Sequence, residues 1–119
     1  MTPQEIKAKV QGAYVRALQN RSMMYSMRSS RIDHLFRDVK LYGRDAGADF
    51  VDTNLDRLVE EAVGVAGCKQ PCLEMQVWGW GRAALEGLAQ ALRDGTDLKV
   101  EVAGSTVQLI WAEDSPVLV

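Results

Sequence analysis

The fold is decided by residues 72–78, CLEMQVW, in which apolar and polar side chains alternate. Alternation with a period of two predicts a β-strand that buries one face. Residues 79–81, GWG, follow as a tight turn, and residues 82–93, RAALEGLAQALR, place their apolar side chains at helical spacing. Because the period changes from 2 to 3.6 within this stretch, it predicts a strand, a turn and a helix. Gly95 is expected to end that helix.

Two further strands are predicted after the helix, at 98–103 and 106–112. They are separated by Gly104 and Ser105, a dipeptide that suits a two-residue hairpin turn with glycine at its first position. These two strands and the strand at 72–78 together predict a small sheet.

Helical patterns precede the first strand. Three helices are predicted, at 3–20, 30–42 and 47–65. The first has the clearest beginning, because Thr2 can cap it, Pro3 fits its first position and Glu5 completes a capping box. The predicted fold class is α+β: three N-terminal helices followed by strand, helix, strand and strand, with a small mixed three-stranded sheet covered by helices. We expect residues 1–119 to form one domain.

The composition is that of an ordinary globular protein rather than of a membrane-spanning or secreted one. The chain has 47% hydrophobic and 25% charged residues, which are ordinary globular values. No apolar run is long enough to span a membrane, and the first residues lack the layout of a signal peptide. Two cysteines are too few for a secreted disulfide scaffold. These features predict a cytoplasmic protein.

Charge is divided unevenly along the chain. Residues 1–44 hold nine bases and three acids, a net charge of +6, whereas residues 45–119 hold five bases and thirteen acids, a net charge of −8. The two halves can pair with each other, within one chain or between copies, or the basic half can bind an anionic partner. The candidate anion-binding residues are Arg28, Arg31, Arg37, Lys40 and Arg44.

The third predicted helix carries a matching stripe of acids. Five carboxylates recur at helical spacing and fall within an arc of roughly 80°. These carboxylates are Asp45, Asp49, Asp52, Asp56 and Glu60. We interpret them as a solvated face or as a docking face for basic residues.

The two cysteines are the strongest candidates for a chemically reactive site in the sequence. Cys68 and Cys72 have Lys69 between them, and a nearby cation lowers the pKa of a thiol. The usual redox motif has two residues between its cysteines, however, and here there are three. A structural zinc site needs four ligands, and His34 is the only histidine. We therefore expect free thiols, and we predict no metal and no cofactor.

Two apolar features are candidates for contact with a partner. Met23, Met24, Tyr25 and Met27 form a soft patch among basic residues, and methionine adapts well to partner surfaces. In the turn after the first strand, Trp78 is expected to continue the strand and pack. Trp80 is expected to stand at the turn, exposed enough to touch a partner.

No catalytic constellation emerges from these features. The first functional hypothesis is a non-enzymatic interaction or regulatory protein that self-associates or binds another protein. The second is a nucleic-acid-binding module that uses the basic residues of 16–44, where two helices could resemble a helix-turn-helix. The third is a small thiol-based redox enzyme that uses Cys68 and Cys72.

Overall fold

The structure is a computed structural model, and it describes residues 1–20, 32–37 and 39–112. Four helices and three strands follow one another in the predicted order, so the α+β class is confirmed. They are α1 (Pro3–Gln19), α2 (Asp33–Arg37), α3 (Arg44–Ala66), β1 (Cys72–Gln76), α4 (Arg82–Thr96), β2 (Lys99–Ala103) and β3 (Thr106–Ile110).

Helix α1 begins as its sequence predicts. The hydroxyl oxygen of Thr2 accepts a hydrogen bond from the backbone N–H of Glu5 at 3.1 Å, and Pro3 occupies the first helical position. The apolar residues at helical spacing are all buried. They are Ile6, Val10, Ala13, Tyr14 and Ala17. Local capping and amphipathic spacing therefore act together to define this helix.

Helix α2 is much shorter than predicted. It ends at Arg37, and the following stretch up to Tyr42 is not helical where the structure describes it. The carbonyl oxygens of Val39 and Leu41 instead accept hydrogen bonds from the indole N–H of Trp80 and the backbone N–H of Gly81. Carbonyls at these two positions would lie in the last turn of the predicted helix, where no donor within the helix reaches them, and partners distant in sequence bind them instead.

The sheet is antiparallel throughout, so the prediction of a mixed sheet is wrong. Its strand order is β1-β3-β2, and β3 pairs antiparallel with both neighbours. The hairpin turn after β2 makes β2 and β3 antiparallel, and Gly104 adopts a φ of +61° there, as its first position in the turn requires. Because β3 lies between β1 and β2, the strands on either side of α4 never pair with each other.

One hydrophobic core joins the helices to one face of the sheet. Helix α4 packs against β2 and β3, α3 packs against α4 and β1, and α1 covers α3 and α4. The opposite face of the sheet is polar, with Glu101, Gln108 and Glu74 side by side across the three strands. Among the described residues, no helix is long and apolar enough to cross a membrane.

Candidate interaction surface

The two tryptophans of the turn have the opposite arrangement from the predicted one. Trp80 is only 8% exposed, and its indole N–H donates to the carbonyl oxygen of Val39 at 2.7 Å. Its ring lies edge-on to Phe36 and Phe50, with centroids 5.9 and 5.1 Å away. The prediction that Trp80 is the exposed tryptophan is therefore wrong, and Trp80 is a core residue. Trp78 is 68% exposed.

This reversal follows from the alternation along β1 and from the turn after it. Burial alternates from Leu73 through Val77, so Trp78 falls on the same outer face as Glu74 and Gln76 even though β1 itself stops at Gln76. Gly79 then adopts a φ of +80°, a backbone conformation that favours glycine, and reverses the chain. The turn thereby directs Trp80 inward and leaves Trp78 outside.

Trp78 and Tyr42 are exposed aromatic residues on two chain segments that are hydrogen-bonded to each other, and we call these residues, with Lys40, the aromatic surface. Tyr42, like Trp78, is 68% exposed. The two segments that carry them are fastened together, because the N–H of Gly81 donates to the carbonyl oxygen of Leu41 at 2.8 Å. The aliphatic stem of Lys40 lies alongside Gly79, and Gly81 lies against Tyr42. Two large aromatic side chains are thus presented on a fixed backbone.

An open groove of about 680 Å³ lies next to this surface, between α4 and the β2–β3 hairpin, and we call it the arginine groove. Its polar lining includes Arg44, Arg82, Arg93 and Glu86. The Glu86 carboxylate lies 3.6 Å from a guanidinium nitrogen of Arg44 and 3.4 Å from Nε of Arg82. Arg93 donates to the carbonyl oxygen of Val100 at 2.7 Å. Three cations against one carboxylate make the groove basic.

The predicted anion-binding residues are only partly brought together. Arg28 and Arg31 lie outside the described residues, and Arg37 and Lys40 are exposed but do not line the arginine groove. Arg44 does line it, where it meets two arginines of the acidic C-terminal half. Sequence reasoning missed Arg82 and Arg93 because only the packing of α3 on α4 and of α4 on β2 places them beside Arg44. The Met23, Met24, Tyr25 and Met27 patch also lies outside the described residues.

The acidic stripe of α3 faces solvent. All five carboxylates at 45–60 are exposed, and none forms a salt bridge within the part of the chain that the structure describes. Arg44, the last basic residue of the basic half, pairs with Glu86 rather than with the stripe. In the described residues, the charge division along the chain is therefore not neutralised by contacts between this stripe and the basic half.

A second groove borders the stripe, and we call it the acidic groove. It has a volume of about 450 Å³, lies between α1 and α3, and carries Asp56 and Glu60 with Lys9 as its cation. The rest of its lining is apolar. These residues are Met1, Ile6, Leu55, Val59 and Val63. The acidic groove thus combines an apolar floor with negative charge.

The cysteines do not form a thiolate site. Both are half-buried free thiols. Burial, and to a lesser extent the negative charge of Glu74, raises the pKa of the Cys72 thiol, which opposes formation of the nucleophilic thiolate. Lys69, the cation between them, donates to the carbonyl oxygen of Asn20 at 3.1 Å.

No metal site emerges from the described ranges, where no three His, Cys, Asp or Glu side chains gather closely enough to hold an ion. Comparison with known protein families, with curated proteins and with solved structures found no match.

Proposed function

We propose that this chain is a small non-enzymatic interaction protein that self-associates head to tail. The aromatic surface of one copy docks on the acidic groove and acidic stripe of the next copy. The observation that carries the proposal is the 68% exposure of both Trp78 and Tyr42 on a hydrogen-bonded support.

The aromatic surface has the composition of an interface core. Tryptophan, tyrosine and arginine are the residues that most often dominate binding energy. Trp78 and Tyr42 contribute large rigid rings, while Arg44 and Arg82 follow them closely in the chain. The hydrogen bond between Gly81 and Leu41 holds the two aromatic segments together before a partner arrives, so little order has to be imposed on binding.

The acidic face complements this surface in both polarity and charge. The acidic groove offers apolar side chains to an aromatic ring, and Asp56 and Glu60 lie at the same place. The neighbouring stripe carboxylates are exposed and form no salt bridge in the described ranges. Lys9 is the one cation that lines the acidic groove, and a second copy supplies further cations to this face.

Head-to-tail contact has a consequence for assembly. Because two different surfaces meet, each copy keeps one surface available after the first contact is made. Such contacts form a ring if the rotation between copies closes, and an open chain of copies if it does not.

Complementation between two defective variants tests the proposal. Trp78→Ala removes the aromatic anchor but leaves the acidic groove, and the double variant Asp56→Lys with Glu60→Lys does the reverse. We expect each to sediment as a monomer at micromolar concentrations where the unmodified chain associates. The loss of one such anchor weakens association by about 30-fold or more. Mixed together, the two variants should form a 1:1 dimer that grows no further.

The matched control is Leu18→Ala, which truncates an exposed apolar residue that lines neither groove. It should associate like the unmodified chain. A monomeric unmodified chain, or two variants that fail to complement each other, would contradict the proposal.

We also propose a cytoplasmic location, which is supported by the two free thiols, since reduced cysteines are typical of that compartment.

The helix-turn-helix version of the nucleic-acid hypothesis has less support. Helix α2 has five residues, and α1 ends fourteen positions before it begins. Tight, salt-dependent binding to mixed nucleic acid would favour that hypothesis over self-association.

A further inference from the structure

In the part of the chain that the structure describes, the β2 strand forms one edge of the sheet, and no further strand pairs with the outer side of its backbone. In a two-residue hairpin the pair that flanks the turn, here Ala103 and Thr106, exchanges hydrogen bonds. Bonded and non-bonded pairs then alternate along the strands. The backbone groups of Val100 and Val102 therefore point away from β3, toward the free edge.

Only part of this edge is already used. The carbonyl oxygen of Val100 accepts the 2.7 Å hydrogen bond from Arg93, which confirms that it points outward. Val102 makes no recorded hydrogen bond toward the free edge within the described part of the chain. Its side chain is on the core-facing side of the sheet and yet is 41% exposed. Helix α4 thus leaves this end of β2 open.

The open end of the edge strand borders the arginine groove. Val102, Gly104 and Ser105 line the groove from the hairpin, opposite the α4 residues Leu85 and Ala89. An edge strand beside a groove under a helix is a geometry in which an extended peptide can add as another strand. The free backbone groups would bind its main chain, and the groove would take its alternate side chains.

We propose that the β2 edge and the arginine groove together bind an extended, acidic segment of a partner protein. The segment adds to β2 as a fourth strand, and Val102 exchanges main-chain hydrogen bonds with it. Arg44, Arg82 and Arg93 outnumber the single carboxylate of Glu86, so acidic side chains of the segment complement the groove. This inference uses a strand edge that takes no part in the proposed self-association, although Arg44 and Arg82 serve in both.

Binding of a defined peptide tests the inference. The probe is a short, capped, fluorescently labelled peptide of alternating valine and glutamate, and its partner probe has lysine in place of each glutamate. We expect fluorescence anisotropy to show saturable binding of the glutamate peptide and not of the lysine peptide. Arg82→Gln, at a highly exposed side chain, should weaken binding by about two- to fivefold.

The second variant removes the backbone donor. Val102→Pro deletes the outward N–H without touching the ladder to β3, a position where an edge strand tolerates proline. It should weaken glutamate-peptide binding by about five- to tenfold. If Val102→Pro does not fold, amide hydrogen exchange of the unmodified chain gives the same information. Exchange at Val102 should slow when the glutamate peptide is added.

Several outcomes would overturn the inference. These are equal binding of the two peptides, no binding of either, or no effect of Val102→Pro on binding and no protection of Val102. A fourth is that Val102→Pro changes sedimentation while no peptide binds, which would assign the edge to a second copy of the chain. Repeating the titration with Trp78→Ala separates the two proposals, because that variant should bind the peptide at least as tightly even though it no longer self-associates.

Discussion

Gly87 of α4 lies directly against the backbone of Arg44 at the start of α3, so that a β-carbon at Gly87 would overlap the carbonyl oxygen of Arg44. A reciprocal contact occurs nearby, where a β-carbon at Gly47 would overlap the carbonyl oxygen of Ala84. The two helices therefore cross with backbone against backbone. This close crossing brings Arg44 to the same groove as the arginines of α4.

Alanine at either crossing glycine should destabilise the fold severely. The obstructing atoms are backbone atoms of the other helix, so the helices must move apart, and overpacking of this kind costs about 1–3 kcal/mol or more. Gly95→Ala is the matched control. It lies in the same helix, and its added carbon would meet only Leu55 at 3.8 Å. Because alanine favours helix by about 0.5–1 kcal/mol, Gly95→Ala should be neutral or stabilising.

Urea denaturation of Gly47→Ala, Gly87→Ala and Gly95→Ala measures these differences directly. Equal free energies of unfolding for Gly87→Ala and Gly95→Ala would mean that the close crossing does not exist in solution.

Sequence patterns predicted the elements whose cause is local. Helix α1 follows from its Thr2 cap and its apolar spacing, and the hairpin follows from Gly104, because every interaction that decides them lies within a few residues. The end of α4 shows the limit of this local reasoning. Gly95 was expected to stop the helix, but Thr96 continues it and Asp97 adopts the left-handed conformation with a φ of +56°. The hydroxyl of buried Thr96 donates to the carbonyl oxygen of Leu92 and accepts from the N–H of Leu98. These two hydrogen bonds stabilise a helix end at Thr96 rather than at Gly95.

The candidate surfaces could not be predicted because they are built from distant segments. The aromatic surface depends on hydrogen bonds from Trp80 and Gly81 to a segment about forty positions earlier. The same hydrogen bonds bind residues that were predicted to form the last turn of α2 and that are not helical in the structure. The arginine groove likewise needs the backbone crossing at Gly87 before Arg44 can reach Glu86.

The two turn tryptophans should respond differently to truncation. Trp80→Ala removes a buried ring that packs on Phe36 and Phe50 and leaves the carbonyl of Val39 without its donor. It should cost about 3–5 kcal/mol. Trp78→Ala truncates an exposed ring and should change stability by less than about 1 kcal/mol. Thermal denaturation followed by circular dichroism compares them. A larger loss for Trp78→Ala would show that Trp78, not Trp80, belongs to the core.

Gly79 should resist substitution because of its backbone angle. Its φ of +80° is strained for any residue with a β-carbon, whereas Gly81 in the same turn has a φ of −68°. Space is not the obstacle at Gly79, since the nearest atoms are carbons of the Lys40 side chain at 3.7 Å. Gly79→Ala should therefore destabilise by about 1–2 kcal/mol. Gly79→Asn, which tolerates positive φ better, should recover part of that loss in the same denaturation experiment.

Cys72 should react as a poor nucleophile whose reactivity appears only in alkaline solution. Burial, with a smaller contribution from Glu74, raises the pKa of its thiol, so the folded chain holds this proton to higher pH than the unfolded chain does. The stabilising effect of the protonated thiol is complete at pH values below the ordinary thiol pKa and is lost as the pH rises above the pKa of the unfolded chain.

In a Cys68→Ser chain, the rate of iodoacetamide labelling should therefore rise at higher pH when the chain is folded than when it is unfolded in urea. As the pH rises above the ordinary thiol pKa of about 8.5, the unfolding free energy of this chain should also fall more steeply than that of a Cys68→Ser, Cys72→Ala chain. A folded labelling profile that lies below the unfolded one would instead indicate a stabilised thiolate and would revive the thiol-enzyme hypothesis.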